Sequence, residues 1–218
     1  MKTKVVIFGT STMAEVITYY LEQSTDYDVV AYTSTNVDSN EFLGRPVVEF
    51  QSIEQQYSPG EHEMFIAVGY RKMNQLREKF YHEAKNKNYK LLTYIHPSVT
   101  WWDNVEIGDN CFIFEDNTVQ PFVKIGNNVI LWSGKHIGHH SKVDDHCFIS
   151  SHVVVSGHCH IGKNCFIGVN ASLRDGISIA EQNLVGAGAI IMKNTEPKQV
   201  FVPERTPTYS KSSDEINF

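Results

Sequence analysis

The chain has 218 residues, with 19 lysines and arginines against 25 aspartates and glutamates and a formal net charge of −6. That length suits two modest domains, and that charge gives no footing for a nucleic-acid partner. No run of about 18 apolar residues offers a membrane span, and the opening Met-Lys-Thr-Lys with its short apolar run makes no secretion signal, so a cytoplasmic protein is expected.

The first predicted element is a buried strand, Lys4-Val5-Val6-Ile7-Phe8. It turns at Gly9-Thr10-Ser11-Thr12-Met13-Ala14 into a helix with Val16, Ile17, Tyr20 and Leu21 on one face, and a second strand follows at Val29–Tyr32. This βαβ unit carries a G-x-S-x-x-A turn, related to the glycine-rich turn that cradles a dinucleotide, with serine at the middle glycine. Backbone amides at such a helix start attract an anion. Thr33, Ser34, Thr35 and Asn36 end the second strand without an acidic residue, so a nucleotide-sugar or structural role is expected rather than an NAD ribose contact. Met64–Val68 reads as another strand, ending at Gly69 before a helix with Met73, Leu76, Phe80 and Ala84 in register. A short strand from Lys90 to Tyr94 closes a small, open, parallel Rossmann-like α/β sheet over residues 1–94. Gly9, Ser11 and Gly69 follow its strands and are the candidate nucleotide-sugar contacts.

From Ile107 to Ile191 every sixth residue is aliphatic, without slip or insertion. Neither a helix nor an ordinary strand makes that period; stacked short repeats do. Two residues earlier in each repeat stands a mostly small or apolar residue, and three residues later often Asn, Asp or Gly, the types that accept positive φ at a corner. Each repeat is therefore a short strand plus a corner, and three make one triangular coil. The pattern resembles the hexapeptide-repeat left-handed parallel β-helix, which implies an all-β domain over residues 95–218. The four cysteines, Cys111, Cys147, Cys159 and Cys165, all share the small inward position, so packing is expected rather than a disulfide or zinc.

Seven of the ten histidines fall between His136 and His160. His140, His146, His152 and His158 occupy the corner position, where histidine tolerates positive φ with its ring exposed. His139 stands just before a corner, where its side chain projects outward. His136 and His160 directly precede inward aliphatics. A wall carrying Trp132 and Phe148 is expected to be covered by a symmetric neighbour.

The two halves together resemble bacterial sugar acyltransferases of the sialic-acid O-acetyltransferase and bacillosamine-pathway N-acetyltransferase type. The segments that carry this are Phe65-Ile66-Ala67-Val68-Gly69, Ile137-Gly138-His139-His140 and Ile161–Asn170. The resemblance implies direct transfer of an acetyl or other short acyl group from acyl-CoA to a nucleotide-linked amino sugar, in a homotrimer and without a metal. It implies His139 as general base, Gly157 as the amide facing the acyl group, and Val169 and Ala187 lining the coenzyme A cleft. Three departures stand out: His140 replaces the glutamate that often follows the base, Phe148 aligns with a second family histidine, and Val202-Pro203-Glu204-Arg205 replaces a Gly-Val-Pro-Ala tail. His140 is accordingly a second catalytic candidate. O-acylation, a metal-dependent β-helix hydrolase using His139, His140 or His158, and a non-catalytic scaffold are the alternative readings.

Overall fold

The computed structural model describes residues 2–216. The N-terminal part comprises β1 (Thr3–Phe8), α1 (Thr12–Gln23), β2 (Tyr27–Ser34), β3 (Glu41–Phe42), β4 (Arg45–Glu49), β5 (Glu63–Ile66), α2 (Gln75–Asn86) and β6 (Lys90–Leu91). These strands form one sheet in the order β3-β4-β2-β1-β5-β6. Alternation sorts β1 between two cores: Val5 and Ile7 join Ala14, Ile17 and Leu21 of α1, while Val6 and Phe8 join Phe80, Tyr81 and Ala84 of α2. Both faces are covered, which is why the run reads as continuously apolar.

Two sequence expectations change here. The sheet is mixed, because β3 pairs antiparallel with β4 through a two-residue turn in which Leu43 and Gly44 both take positive φ. The expected strand from Lys90 to Tyr94 is split: Lys90–Leu91 pairs with β5, whereas β7 (Tyr94–Ile95) pairs with Phe112–Ile113 in the second half.

That second half is a parallel β-helix of two-residue strands, paired at a spacing of 18 residues, as in Phe112↔Ile130↔Phe148↔Phe166, except at its end, where Leu184 pairs with Val200. The sixth-residue aliphatics and all four cysteines form its buried core. Every corner from Asn110 to Gly188, in steps of six, has positive φ, including the unexpected Phe122 and Gln182. Three faces result. Face one runs from Tyr94–Ile95 to Val200–Phe201, face two from Thr118–Val119 to Ile190–Ile191, and face three from Glu106–Ile107 to Ser178–Ile179. Lys135 takes an inward position, buried, and its Nζ donates to the Trp132 carbonyl beside the Asn117 amide that does the same.

Face one is covered by the chain's own N-terminal part. Phe112, Phe114, Ile130, Trp132, Phe148 and Phe166 share one cluster with residues of α1 and the sheet. The wall of Trp132 and Phe148 is therefore filled within the chain, because Tyr70 lies 5.0 Å from Phe148 and 4.7 Å from Phe166 and α1 packs alongside. No helix among the described residues is long and apolar enough to cross a membrane.

Candidate active site

The corner between faces two and three carries Phe122, His140, His158 and Gly176 at successive coils. Positive φ at His140 (57°) and His158 (55°) turns both rings outward, and the 18-residue register stacks them 5.0 Å apart at 18°. Phe122 packs on the other side of His140 at 4.6 Å. His139 sits at the end of face two with its backbone fixed on both sides: its N–H donates to Gln120 Oε1 (2.9 Å), and its carbonyl accepts from the His158 N–H (2.9 Å).

The His139 ring is aimed by two contacts. Its Nδ1 lies 3.1 Å from His140 Nδ1, and its Cε1/Nε2 edge lies over Gly157. A Cβ at Gly157 would fall 3.0 Å from that edge and 3.0 Å from Asp175 Oδ1, so only glycine leaves room for both. The Gly157 carbonyl accepts from the Gly176 N–H (2.9 Å), while its own N–H has no acceptor among the described residues. Two neutral imidazoles meeting at Nδ1 share one proton. With His139 as the donor, its Nε2 keeps a free lone pair beside the Gly157 amide, so a proton acceptor and a hydrogen-bond donor face one spot.

The other predicted contacts lie elsewhere. Val169 and Ala187 are exposed one coil apart, just before the corner between faces one and two. Face two thus joins them to Gly157 and His139. Gly9 follows β1 at φ +119°, with a virtual Cβ 3.0 Å from the Ala67 carbonyl oxygen, and Ser11 caps α1 without a side-chain bond. Gly69 follows β5 and its carbonyl accepts from Arg77 Nη1 (3.2 Å). These three gather at the carboxyl edge of the sheet, on the side of face one. His139 stands at the corner opposite face one, so one chain does not bring them together.

His146 departs from its expected exposed ring; it is 4 % exposed. Its corner lies under α2, where a one-way ladder runs from the Ile66 N–H to Asn110 Oδ1 (2.9 Å), Asn110 Nδ2 to Asn128 Oδ1 (2.7 Å), and Asn128 Nδ2 to His146 Nδ1 (2.9 Å). Burial lowers the His146 pKa, against the pull of Glu78 and Asp145. Of the two unassigned histidines, His160 meets Asp144 Oδ2 at 2.8 Å on face three and His136 is half-buried on face two.

Arg77 was missed. It is fully buried and donates to the carbonyls of His146 and Cys147 (3.0 Å each) and to Asn128 Oδ1, fastening α2 to the β-helix. The signal was present: Arg77 sits four residues after Met73 and three before Phe80, inside the apolar stripe of the helix. Burial pushes Cys111 up to about 12 and raises Cys147 and Cys159 as well; Cys165 is lowered by its hydrogen bond with Cys147, but its sulfur is buried in the coil with no access to a substrate.

Residues 4–84 match the PglD N-terminal domain, and residues 104–139 and 122–157 match the bacterial transferase hexapeptide repeats. Among solved structures, PerB from Caulobacter crescentus in complex with CoA and GDP-perosamine is 25% identical, with 92% of this chain and 95% of that one covered and a TM-score of 0.81. A histidine-to-asparagine mutant of perosamine N-acetyltransferase from Caulobacter crescentus, with CoA and GDP-perosamine, is 24% identical over 90% and 92% of the two chains, TM-score 0.83. The acetyltransferase domain of PglB from Neisseria gonorrhoeae is 22% identical over 91% and 96%, TM-score 0.82.

Proposed function

This chain belongs to the bacterial hexapeptide-repeat transferases with a PglD-type N-terminal domain, and from that premise we propose that it transfers an acetyl or other short acyl group from coenzyme A to the amino group of a nucleotide-linked amino-deoxy sugar. The observation that carries this reading is the juxtaposition of the His139 Nε2 edge with Gly157, under a His140 that fixes the ring through Nδ1. The neutral sugar amine attacks the thioester carbonyl; the C–N bond forms as its proton passes to His139 Nε2. The Gly157 N–H faces the oxygen of the tetrahedral intermediate, held by the coil and needing little rearrangement. Collapse breaks the C–S bond, and the proton held by His139 goes to the departing thiolate. The nitrogen acceptor follows the N-acetyltransferases among the structural neighbours, and their bound GDP-perosamine and CoA support the two substrate classes.

In this reading acyl-CoA lies along face two between Gly157 and the pair Val169 and Ala187, and Gly9, Ser11 and Gly69 hold the nucleotide sugar. The chain works as a homotrimer, with the cleft formed between subunits. His139→Asn tests the assignment: with acetyl-CoA and a panel of UDP-, dTDP- and GDP-linked amino sugars, kcat is expected to fall on the order of 10²–10⁴-fold with both KM values little changed. Turnover near wild type at neutral pH would remove His139 as the base.

A further inference from the structure

We propose that His139, His140 and His158 form a capture site for a borderline divalent metal ion, zinc above all, and that occupancy of this site switches the transfer reaction off. The switching part rests on the proposed function; the binding part does not. One ligand nitrogen from each of the three rings lies within 4.8 Å of the other two. The closest pair, Nδ1 of His139 and Nδ1 of His140, is 3.1 Å apart. Two nitrogens on a tetrahedral zinc with Zn–N of about 2.0–2.1 Å are separated by about 3.3 Å, so this pair already stands near ligand spacing. His158 stacks on His140 and meets His139 edge-on at 4.9 Å, and all three rings are exposed, so an ion can reach them from solvent. The backbone beneath them is locked by the coil register, so little has to be ordered on binding. A set of three neutral imidazoles suits zinc, nickel and copper rather than magnesium or calcium.

The consequence for the base follows from which nitrogen is used. In the tautomer that the proposed base requires, His139 donates Nδ1–H to His140 and keeps Nε2 free. A metal bound at His139 Nδ1 moves that proton, by way of solvent, to Nε2 of the same ring. The ring then has no lone pair facing Gly157 and accepts no proton from an incoming amine.

A second cluster, Glu78, His82 and His146, is an internal control with the opposite chemistry. Asn128 Oδ1 accepts from Asn110 Nδ2 and Arg77 Nε, so its Nδ2 must face His146 Nδ1. That fixes Nε2 of His146 as the protonated nitrogen, pointing to Glu78 Oε1 at 3.6 Å, and a metal there would have to strip that proton.

The test titrates ZnCl2 into the full-length, chelator-stripped protein by calorimetry, with CoCl2 absorption in the visible as an independent reading of tetrahedral nitrogen ligation. One ion per chain is expected. His140→Gln and His158→Gln each weaken it by at least about the 10–100-fold that losing an outer partner of a metal ligand costs. Glutamine is accepted at this corner geometry, since Gln182 holds a corner at φ 56°. His82→Gln leaves the affinity unchanged. Wild-type acyl transfer falls with added ZnCl2 and returns with EDTA. No binding, binding that survives both glutamine variants, or binding lost in His82→Gln overturns the proposal. Zinc that binds in the expected pattern to a protein without acyl transfer leaves the site standing and removes the transferase reading instead.

Discussion

At the scale of single residues, what separates a usable test from a structural accident is whether the side chain has room. Gly9 lies at φ +119° with the Ala67 carbonyl 3.0 Å from any Cβ, so replacing it strains the turn whatever it binds. Gly69 has ordinary φ and nothing within 4 Å of its virtual Cβ. A valine there fits the fold and protrudes into the carboxyl edge of the sheet, where the nucleotide sugar is assigned. Gly69→Val is therefore expected to raise the KM for the nucleotide sugar several-fold while the KM for acetyl-CoA and the melting temperature stay close to wild type. Steady-state kinetics with each substrate varied in turn checks this. Equal changes in both KM values, or none, would move the sugar site away from this edge.

At the scale of elements, the corner column under α2 sets a pH dependence whose sign follows from burial. An unperturbed imidazole titrates near about 6.5, and His146 in the fold titrates lower because burial opposes its charge. Glu78 and Asp145 face it and pull the other way, while His82 and Arg77 add to the lowering. Between the two pKa values the unfolded chain holds the proton and the folded chain does not, so stability rises with pH there. His146 thus contributes its full stability above about 6.5, and that contribution is lost as pH falls through the folded value. His146→Asn should remove this acid-side loss, since Asn128 and Asn164 hold the same corner at φ 57° and 58°. Urea midpoints at pH 7.5 and pH 5 measure it: wild type should lose more between them than the variant, and equal losses would assign the slope to other groups. The column itself was legible in the sequence, because the six-residue period fixes which residues stack. What lies on it was not. The period says which way a side chain points from the coil, but not that α2 lands on one corner, buries His146 and brings Arg77 onto the His146 and Cys147 carbonyls. The same limit hid the cover over Trp132 and Phe148. Their position facing outward was readable, but the α1 and Tyr70 that fill the wall come from a part of the chain with no repeat. The Leu43-Gly44 turn was missed for a local reason, since leucine at positive φ carries none of the usual turn signal.

At the scale of the whole molecule, the proposed sugar contacts and the proposed base lie on opposite sides of the β-helix. The sheet edge with Gly9, Ser11 and Gly69 lies over face one, and His139 stands at the corner opposite. One side of a coil is six residues, at most about 20 Å at about 3.3 Å each, and the packed core fills the space between. On the proposed assignment, a sugar held at the sheet edge meets the His139 of another subunit. Face two is the surface available for that contact. Val154 and Ile190, two coils apart on it, are 42 % and 69 % exposed; face one is covered from Phe112 to Phe166, with Val200 exposed at its end, and face three carries Glu106, Lys124, Lys142 and His160. A ring of three subunits, each setting face two against its neighbour, covers that patch through one repeated heterologous contact. Light scattering at micromolar concentration should give a trimer for wild type and a monomer without activity for Ile190→Glu. Co-expression sharpens the point. His139→Asn lacks the base, and Gly69→Trp, whose larger side chain fills the same open edge, lacks sugar capture. If both halves of the site belonged to one chain, a mixture of the two variants would contain no complete site and stay inactive. If the site is shared, random assembly makes about a quarter of the interfaces complete, and activity returns to roughly that fraction of wild type. A monomeric wild type, or mixed trimers as inactive as their parents, would place the sugar and His139 in the same chain after all.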